Sequence, residues 1–306
     1  RDGALPLSFA QERLWFLYQL EPESTAYSIY RIIRLKEALD EIALERVFVE
    51  LARRHETLRT TFRFVEGRPE QCISAEPAIV FSKVDLRKLA VAARDVEALR
   101  LVDEETRKPF DLTSGPLFKI SLYQLDDEDH VIQVNMHHII SDYWSLGVMS
   151  RECAELYKAF ATNTPLQLPD LPIQYADYAY SQRQWLQGGV LAAHLTYWKK
   201  KLAGELATLD LPTDRPRPAM QTHRGSELSL ILAQELIDAL RELSRRKGVS
   251  LFMLLLSAFK VLLYRYTGQE DIIVGTPIAG RNQAELEGLI GLFINTIVMR
   301  TDLSGD

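Results

Sequence analysis

Two adjacent histidines and a carboxylate, His137, His138 and Asp142, are the residues whose types and spacing best suit chemistry. A neutral imidazole can accept or orient a proton near neutral pH, and a nearby carboxylate can fix its geometry or balance its charge. The histidines follow residues 131–136, which are β-branched or apolar with two interleaved amides. This alternation predicts a buried strand that leads to the histidines.

The predicted strand assigns the two imidazoles to opposite faces. In an extended chain Val134, Met136 and His138 share one face, and His137 points the other way. We therefore expect one imidazole to face an open site and its neighbour to be held in the packing, so that the two need not share a role.

A helix is predicted directly after the histidines. Ser141 or Asp142 suits its N-cap, and apolar residues then recur at steps of three and four: Leu146, Met149, Cys153, Leu156 and Phe160. Asp142 is therefore expected at a strand-to-helix turn, close to the histidines.

Other functions for these residues require motifs or ligands that the sequence lacks. A histidine pair is often structural. A metal site at His137, His138 and Asp142 is disfavoured, because there is no HExxH pattern or further ligand nearby, and a triad with Ser141 lacks an elbow that would present a nucleophile. Without GxxxxGK[ST], GxGxxG and GxSxG motifs, nucleotide hydrolysis, dinucleotide redox chemistry and an α/β-hydrolase mechanism are also disfavoured.

The composition is that of an ordinary globular protein. The 306 residues are 47% hydrophobic and 25% charged, which suffices for one large core or two moderate ones. A formal net charge of −6 and a pI near 5.7 disfavour nucleic acid or an anionic membrane as the main partner, since both require a basic surface.

Two features indicate whether the chain could span a membrane and what compartment it suits: the apolar run over residues 251–264 and the two cysteines. The run contains Ser257 and Lys260 and is shorter than the ~20 apolar residues that span a bilayer, so it predicts a buried core helix. Cys72 and Cys153 support neither a disulfide framework nor a cysteine metal site, and they fit a reducing, cytoplasmic compartment.

Earlier segments supply elements that could support the histidines. Ser8 and Gln11 have capping-box spacing at the start of a predicted helix. Residues 58–64 predict a strand with a charged face that carries Arg59.

A linker divides the chain. Residues 162–172 are proline-rich and polar. We therefore predict an N-terminal lobe over residues 1–165, which carries the histidines, and a C-terminal lobe over residues 166–306.

Several separated motifs resemble those of the condensation domains of nonribosomal peptide synthetases. The HHxxxD pattern of His137, His138 and Asp142 resembles the active-site motif of that family, and the other matching segments are residues 8–17, 54–62, 175–183 and 290–300. The superfamily includes chloramphenicol acetyltransferase and the carnitine acyltransferases. The resemblance implies an α/β sandwich of the chloramphenicol acetyltransferase type, with two lobes in a V and a substrate tunnel between them.

The resemblance also implies a reaction, in which the amine of an acceptor attacks the thioester of a donor and an amide forms. Both substrates are aminoacyl or peptidyl groups on phosphopantetheine arms. The expected partners are donor and acceptor peptidyl carrier proteins and an adjacent adenylation domain, with no permanently bound cofactor. His138 is the expected catalytic residue, as general base or as the group that positions the amine. His137 and Asp142 are expected to support the site, with Arg59 as the hypothetical partner of Asp142.

The tunnel is where the chain departs from the family pattern. The residues expected to line it are Tyr143, Trp144, Ser145 and Asn295. Tyr143 replaces the usual glycine and could narrow one mouth, and Ser181 stands where tryptophan is common. The last two family motifs have no counterpart before Asp306, so we expect an incomplete second lobe.

Two further functions fit the same motifs. A condensation-like domain without catalysis can be a platform that binds carrier proteins or recruits a tailoring enzyme, and Tyr143 and the incomplete lobe favour this. The same mechanism can also use a hydroxyl acceptor or a coenzyme A thioester. The intact pair of His137 and His138 favours catalysis, because platform relatives usually lose a motif histidine.

Overall fold

The computed structural model describes residues 3–77, 79–206, 208–216, 218, 225–226 and 228–305. The chain forms two compact units, of which the first comprises Arg1–Val190 and Ala279–Asn295 and the second comprises Leu191–Ile278 and Thr296–Asp306. This division differs from the lobe boundary predicted after residue 165, and that boundary stays a prediction.

A four-stranded sheet forms the centre of the first unit. Its strands are β1 (Ser28–Leu35), β4 (Val80–Asp85), β5 (Phe118–Asp126) and β6 (Asp129–His137), and β2 (Thr60–Val65) and β3 (Arg68–Ile73) form a separate hairpin. The order in the sheet is β1-β6-β5-β4, with β6 antiparallel to both neighbours and β4 parallel to β5. Strands β5 and β6 form an antiparallel pair joined by a tight turn.

Six α-helices begin among the described residues of Arg1–Val190 in the first unit. They are α1 (Phe9–Leu20), α2 (Glu41–Arg54), α3 (Val91–Thr106), α4 (Tyr143–Ala161), α5 (Tyr175–Trp185) and α6 (Gly188–Lys201). The second unit contains α7 (Gln234–Lys247), α8 (Leu251–Thr267) and β7 (Asp271–Ile278). Helix α9 (Ala284–Glu287) belongs to the first unit. Strand β8 (Asn295–Asp302) begins at the last residue of the first unit and continues in the second.

The sheet of the first unit is sandwiched between helices. Buried residues of one face, such as Val134 and Met136, share a core with Phe48 of α2 and Met149 of α4. The residues of the other face form a separate cluster with α3: Leu86, Ala98, Val102, Tyr123, Leu125 and Val131. The predicted α/β sandwich is therefore confirmed for this unit.

Two local predictions near the histidines were wrong. Strand β6 ends at His137, and His138 begins a 3-10 turn, His138–Ile140, so strand alternation does not orient its side chain. Arg59 ends another 3-10 turn, Glu56–Arg59, instead of lying in a strand.

The second unit contains the apolar helix α8, which the sequence predicted as a buried core helix. Within this helix only Lys260 and Leu263 are buried, and apolar side chains such as Phe252 are exposed. The Lys260 ammonium donates to the carbonyl of Met299 at 2.9 Å and to Thr301 Oγ1 at 2.5 Å. Among the described residues no single helix could cross a membrane by length and apolarity, although α7 and α8, bent by 104°, pass that test together.

Candidate functional site

The site is built on the segment that joins β6 to α4. The 3-10 turn with His138 follows β6 directly, and Asp142 caps α4. The amide of His138 donates to the carbonyl of Tyr27 at 2.7 Å, which ties the turn to the start of the neighbouring strand β1. The two histidines and Asp142 thus lie within one short, backbone-anchored segment, as the sequence predicted.

His137 is a buried, neutral side chain. Its Nδ1 accepts a hydrogen bond from the amide of Ile139 at 3.1 Å, and its ring lies 6.4 Å from that of Tyr27 and 6.1 Å from that of Phe110. Burial, together with the charge of His138, lowers the pKa of His137 to about 3. An imidazole in this state accepts a hydrogen bond within the fold at neutral pH.

His138 is the more accessible of the two histidines. Its side chain is partly exposed, whereas its Nδ1 is buried without a hydrogen-bond partner among the described residues. The exposed edge of the ring is therefore the one that carries Nε2. This nitrogen is the one that can exchange a proton or a hydrogen bond with a bound molecule.

Asp142 joins α4 to a distant segment of the first unit. Its Oδ1 accepts hydrogen bonds from the amide of Ser145 at 2.9 Å and from Arg281 Nη2 at 3.2 Å. Its Oδ2 accepts from the amide of Phe293 at 3.0 Å. The carboxylate therefore caps its own helix and also holds residues 281–293 against that helix.

The partner of Asp142 is Arg281, and the predicted pairing with Arg59 was wrong. The side chains of Asp142 and Arg281 are 3% and 1% exposed. Arg59 instead donates to the carbonyls of Ala52 and Ser74, because its 3-10 turn directs the guanidinium towards these groups. It therefore supports the local turn and not the carboxylate of the motif.

Arg281 is held on several sides. One guanidinium nitrogen donates to the carbonyls of Leu286 and Leu289, and Cζ lies 3.9 Å from the centroid of the Phe293 ring. Burial lowers the pKa of Arg281, and the neighbouring charge of Asp142 opposes this effect. The Nε of Arg281 is buried without a hydrogen-bond partner in the described part of the chain.

Ser145, predicted to line a tunnel, is instead part of this buried network. It is 1% exposed, and its hydroxyl lies 2.7 Å from Asp142 Oδ1 and 3.0 Å from the carbonyl of Gly291. The same oxygen accepts from Arg281 Nη2 at 2.9 Å and from the amide of Gly291 at 3.0 Å. Its position on the inner side of the first turn of α4 explains why it cannot face an open channel.

Gly291 allows this close approach because it has no side chain. A Cβ at this position would lie 2.0 Å from Cδ2 of Tyr175, which is itself fully buried. The hydroxyl of Tyr175 donates to the carbonyl of Leu292 at 2.6 Å, so the ring cannot turn away without losing that bond.

The other predicted tunnel residues lie at the surface of the first unit. Tyr143 is 75% exposed, with the guanidinium of Arg31 5.9 Å from its ring centroid. Trp144 is 44% exposed, and its indole nitrogen donates to the carbonyl of Glu287 at 2.9 Å. Asn295 is exposed at the start of β8. A role in a tunnel stays a prediction for these three residues.

Metal ligands are not assembled in the described part of the chain. Among those residues no group of three or more His, Cys, Asp or Glu side chains is arranged to hold a metal ion. The arrangement therefore consists of one accessible imidazole on a turn that a buried ion pair supports.

Comparison with known proteins gives the family. A sequence model described as "Condensation domain" matches residues 1–306. The chain belongs to the condensation-domain family. It is also 52% identical over 306 residues to one of the subunits of linear gramicidin synthase from Brevibacillus parabrevis, covering 100% of this chain and 6% of that protein. The domain therefore spans a small part of the synthetase that it matches.

Solved structures agree with this assignment. The X-domain in its complex with OxyB from teicoplanin biosynthesis is similar with a TM-score of 0.86 and 30% identity, over 100% of this chain and 67% of that chain. A four-domain nonribosomal peptide synthetase bound to AMP and glycine is similar with a TM-score of 0.82 and 27% identity, over 98% of this chain and 22% of that chain. The predicted fold class is confirmed, and the reaction of the family is amide-bond formation in nonribosomal peptide synthesis.

The sequence did not single out Arg281 in this condensation domain, and it marked Tyr175 only as the first residue of a matching segment. Arg281 follows Gly280, which has a φ of +68°. A Cβ at Gly280 would lie 2.2 Å from the carbonyl oxygen of Phe293. Such a glycine next to an arginine marks a place where backbones pack closely beside a charge.

The contact between Gly291 and Tyr175 predicts a large effect of one methyl group. Gly291→Ala should destabilise the protein by about 2 kcal/mol or more, since a buried ring must move to accept it. Gly147→Ala is the matched control, because Gly147 is exposed in α4 with nothing within 4 Å of an added Cβ, and should stabilise by ~0.5–1 kcal/mol. Urea denaturation compares the two. Equal effects would contradict the close packing.

The low pKa of His137 predicts a pH dependence of stability. Between its ordinary pKa of 6.5 and about 3, the unfolded chain binds a proton that the native state does not. The free energy of unfolding should therefore fall as the pH decreases through this window, by up to about 1.4 kcal/mol per pH unit.

His137→Asn tests this dependence, since the amide oxygen can still accept from the amide of Ile139 but does not titrate. The variant should lose stability less steeply between pH 7 and pH 4 in urea denaturation, whereas the same change at the exposed His194 should leave the slope as it is. Parallel slopes for wild type and His137→Asn would show that His137 titrates normally in the native state.

Proposed function

We propose that this chain catalyses amide-bond formation between aminoacyl or peptidyl thioesters carried by donor and acceptor carrier proteins. The family supports the reaction class. The observation that carries the assignment to this chain is the state of His138, whose Nδ1 is buried while the ring remains partly exposed on an anchored turn.

In the proposed mechanism the acceptor amine attacks the carbonyl carbon of the donor thioester. A C–N bond forms, the C–S bond breaks, and the thiol of the donor phosphopantetheine leaves with a proton. Nε2 of His138 accepts the amine proton or holds the amine by a hydrogen bond as charge develops. His137 and the pair of Asp142 and Arg281 do not act on the substrates; they hold the turn and the start of α4.

The phosphopantetheine arms belong to the substrates in this proposal. Condensation domains work with carrier-protein domains, and we propose donor and acceptor carrier proteins and an adjacent adenylation domain as the partners of this chain. We also propose a cytoplasmic reaction, since Cys72 and Cys153 are free thiols and free thiols persist in reducing compartments.

A second function is favoured by one comparison. The X-domain, with 30% identity, was solved in complex with OxyB, so a condensation-like fold can bind another protein as a platform. We infer that Tyr143 would serve such a role, because it is an exposed aromatic side chain beside the motif. Both functions can be separated in one assay.

The assay uses the full-length protein with donor and acceptor carrier proteins that carry aminoacyl groups. Mass spectrometry follows dipeptide on the acceptor arm. His138→Ala should lower the rate by ~10²–10⁴-fold, as expected for loss of a general base. His194→Ala, which changes an exposed histidine on α6, should retain wild-type product.

Retained activity in a folded His138→Ala protein would remove the catalytic assignment. A wild-type protein that binds a loaded carrier protein but gives no dipeptide would favour the platform function. Product from a coenzyme A thioester or with a hydroxyl acceptor would change the substrate class and leave His138 in its role.

A further inference from the structure

One residue of the catalytic turn, Ile139, is held through both of its backbone polar groups. The amide of Ile139 donates to His137 Nδ1 at 3.1 Å, and the carbonyl of Ile139 accepts from Nε2 of Gln11 at 3.3 Å. The amide lies in the peptide that joins His138 to Ile139, and the carbonyl lies in the next peptide, so the two bonds together fix the backbone of the turn directly after His138. Gln11 therefore contacts the turn one peptide beyond His138, where a shift of the backbone would also displace the imidazole.

Gln11 is itself fixed in a single orientation. It is 0% exposed, and it belongs to a capping box with Ser8. Its side-chain Oε1 accepts from the backbone amide of Ser8 at 3.1 Å, and its backbone amide donates to Ser8 Oγ at 3.1 Å. One end of the side-chain amide faces a donor, the backbone amide of Ser8, and the other end faces an acceptor, the carbonyl of Ile139. The two bonds together decide which end is oxygen and which is nitrogen.

Ser8 extends this arrangement to α5. Its Oγ lies 2.7 Å from the hydroxyl of Tyr175, which donates to the carbonyl of Leu292. Because the proton of Tyr175 is used there, the hydroxyl of Ser8 must donate to Tyr175. The N-terminus of α1 is thereby anchored to the segment that also holds Asp142, so Gln11 reaches the turn from a fixed base.

Helix capping alone does not explain a glutamine at this position. The capping box needs only an acceptor from the third residue, and glutamate supplies it as well as glutamine. Only glutamine also offers a donor to the carbonyl of Ile139 at neutral pH. An ionised glutamate would place a negative charge against that carbonyl oxygen.

We propose that Gln11 is a positioning residue for His138, which acts through a hydrogen bond from its side-chain amide to the carbonyl of Ile139. This inference rests on the proposed function of His138. It assigns to α1, far from the histidine motif in sequence, a direct part in the geometry of the site.

Gln11→Glu tests the proposal, because it keeps the capping acceptor and removes the donor. Dipeptide formation by the full-length variant should fall by about 10²-fold in kcat at pH 8 with little change in KM, as small misplacements of a catalytic group do. Lowering the pH protonates the introduced carboxyl, whose O–H can then donate to the carbonyl of Ile139. The ratio of variant to wild-type kcat should therefore rise as the pH falls to 6.

Burial should raise the pKa of the introduced carboxyl above its ordinary ~4.3. The titratable groups beside it are His137 and His138 on the turn and Tyr175 on α5. His137 stays neutral down to about pH 3, and burial raises the pKa of Tyr175 well above its usual range. The nearby charges of Glu12 and Arg183 pair with each other.

Ser8→Ala is the matched control for a weakened cap, since it removes the acceptor for the amide of Gln11 but leaves Nε2 in place. This variant should have a lower thermal stability, and the ratio of its kcat to that of wild type should not change with pH. If Gln11→Glu behaves in the same way, Gln11 is only a capping residue and the proposal is overturned.

A second readout does not need activity. In the protein labelled with ¹⁵N, Gln11→Glu should shift the amide resonances of residues 138–140, and these shifts should reverse as the pH falls. Reversal without any dipeptide from wild type would uphold the positioning of the turn while the proposed reaction fails. Unshifted resonances would overturn the positioning role even if wild type is active.

Discussion

The buried ion pair between Asp142 and Arg281 is the interaction on which the site depends. A carboxylate and a guanidinium are costly to remove from water unless they meet each other and their remaining hydrogen-bonding capacity is used. Here the carboxylate also accepts from the backbone of its own helix and from Phe293, and the guanidinium donates to two backbone carbonyls. The pair therefore fixes the start of α4 and, through it, the turn that carries His138.

Close backbone packing makes this pair possible. Gly291 lies against the ring of Tyr175, and Gly280 lies against the carbonyl of Phe293. With side chains at these glycines, the segment could not come near enough for Ser145 to bond both the amide and the carbonyl of Gly291. The supporting shell is thus made largely of backbone groups, which leaves the imidazole of His138 as the accessible polar group of the motif.

Local features of the site could be predicted from the sequence, and long-range partners could not. The cap of α4 by Asp142, the capping box of Ser8 and Gln11, and the inward face of β6 follow from spacing over a few residues. The choice of Arg281 over Arg59 depends on a contact between positions 139 apart in the chain. Neither arginine carries a local pattern that reveals its partner.

The error over His138 has a similar origin. Alternation in a strand predicts side-chain direction only as far as the strand continues, and β6 ends one residue earlier than the pattern implied. The turn that follows is determined by the carbonyl of Tyr27, the imidazole of His137 and the amide of Gln11. Two of these three groups come from other parts of the chain, so tertiary contacts and not periodicity orient His138.

A double-mutant cycle between Asp142→Asn and Arg281→Met tests the central claim most directly. Free energies of unfolding from urea denaturation give the coupling between the two positions, with Arg59→Met as the alternative partner. We expect Arg281→Met to cost about 3–5 kcal/mol and to couple to Asp142→Asn by about 1–3 kcal/mol, with Arg59→Met uncoupled. Additive effects of Asp142→Asn and Arg281→Met, or coupling to Arg59→Met instead, would contradict the account.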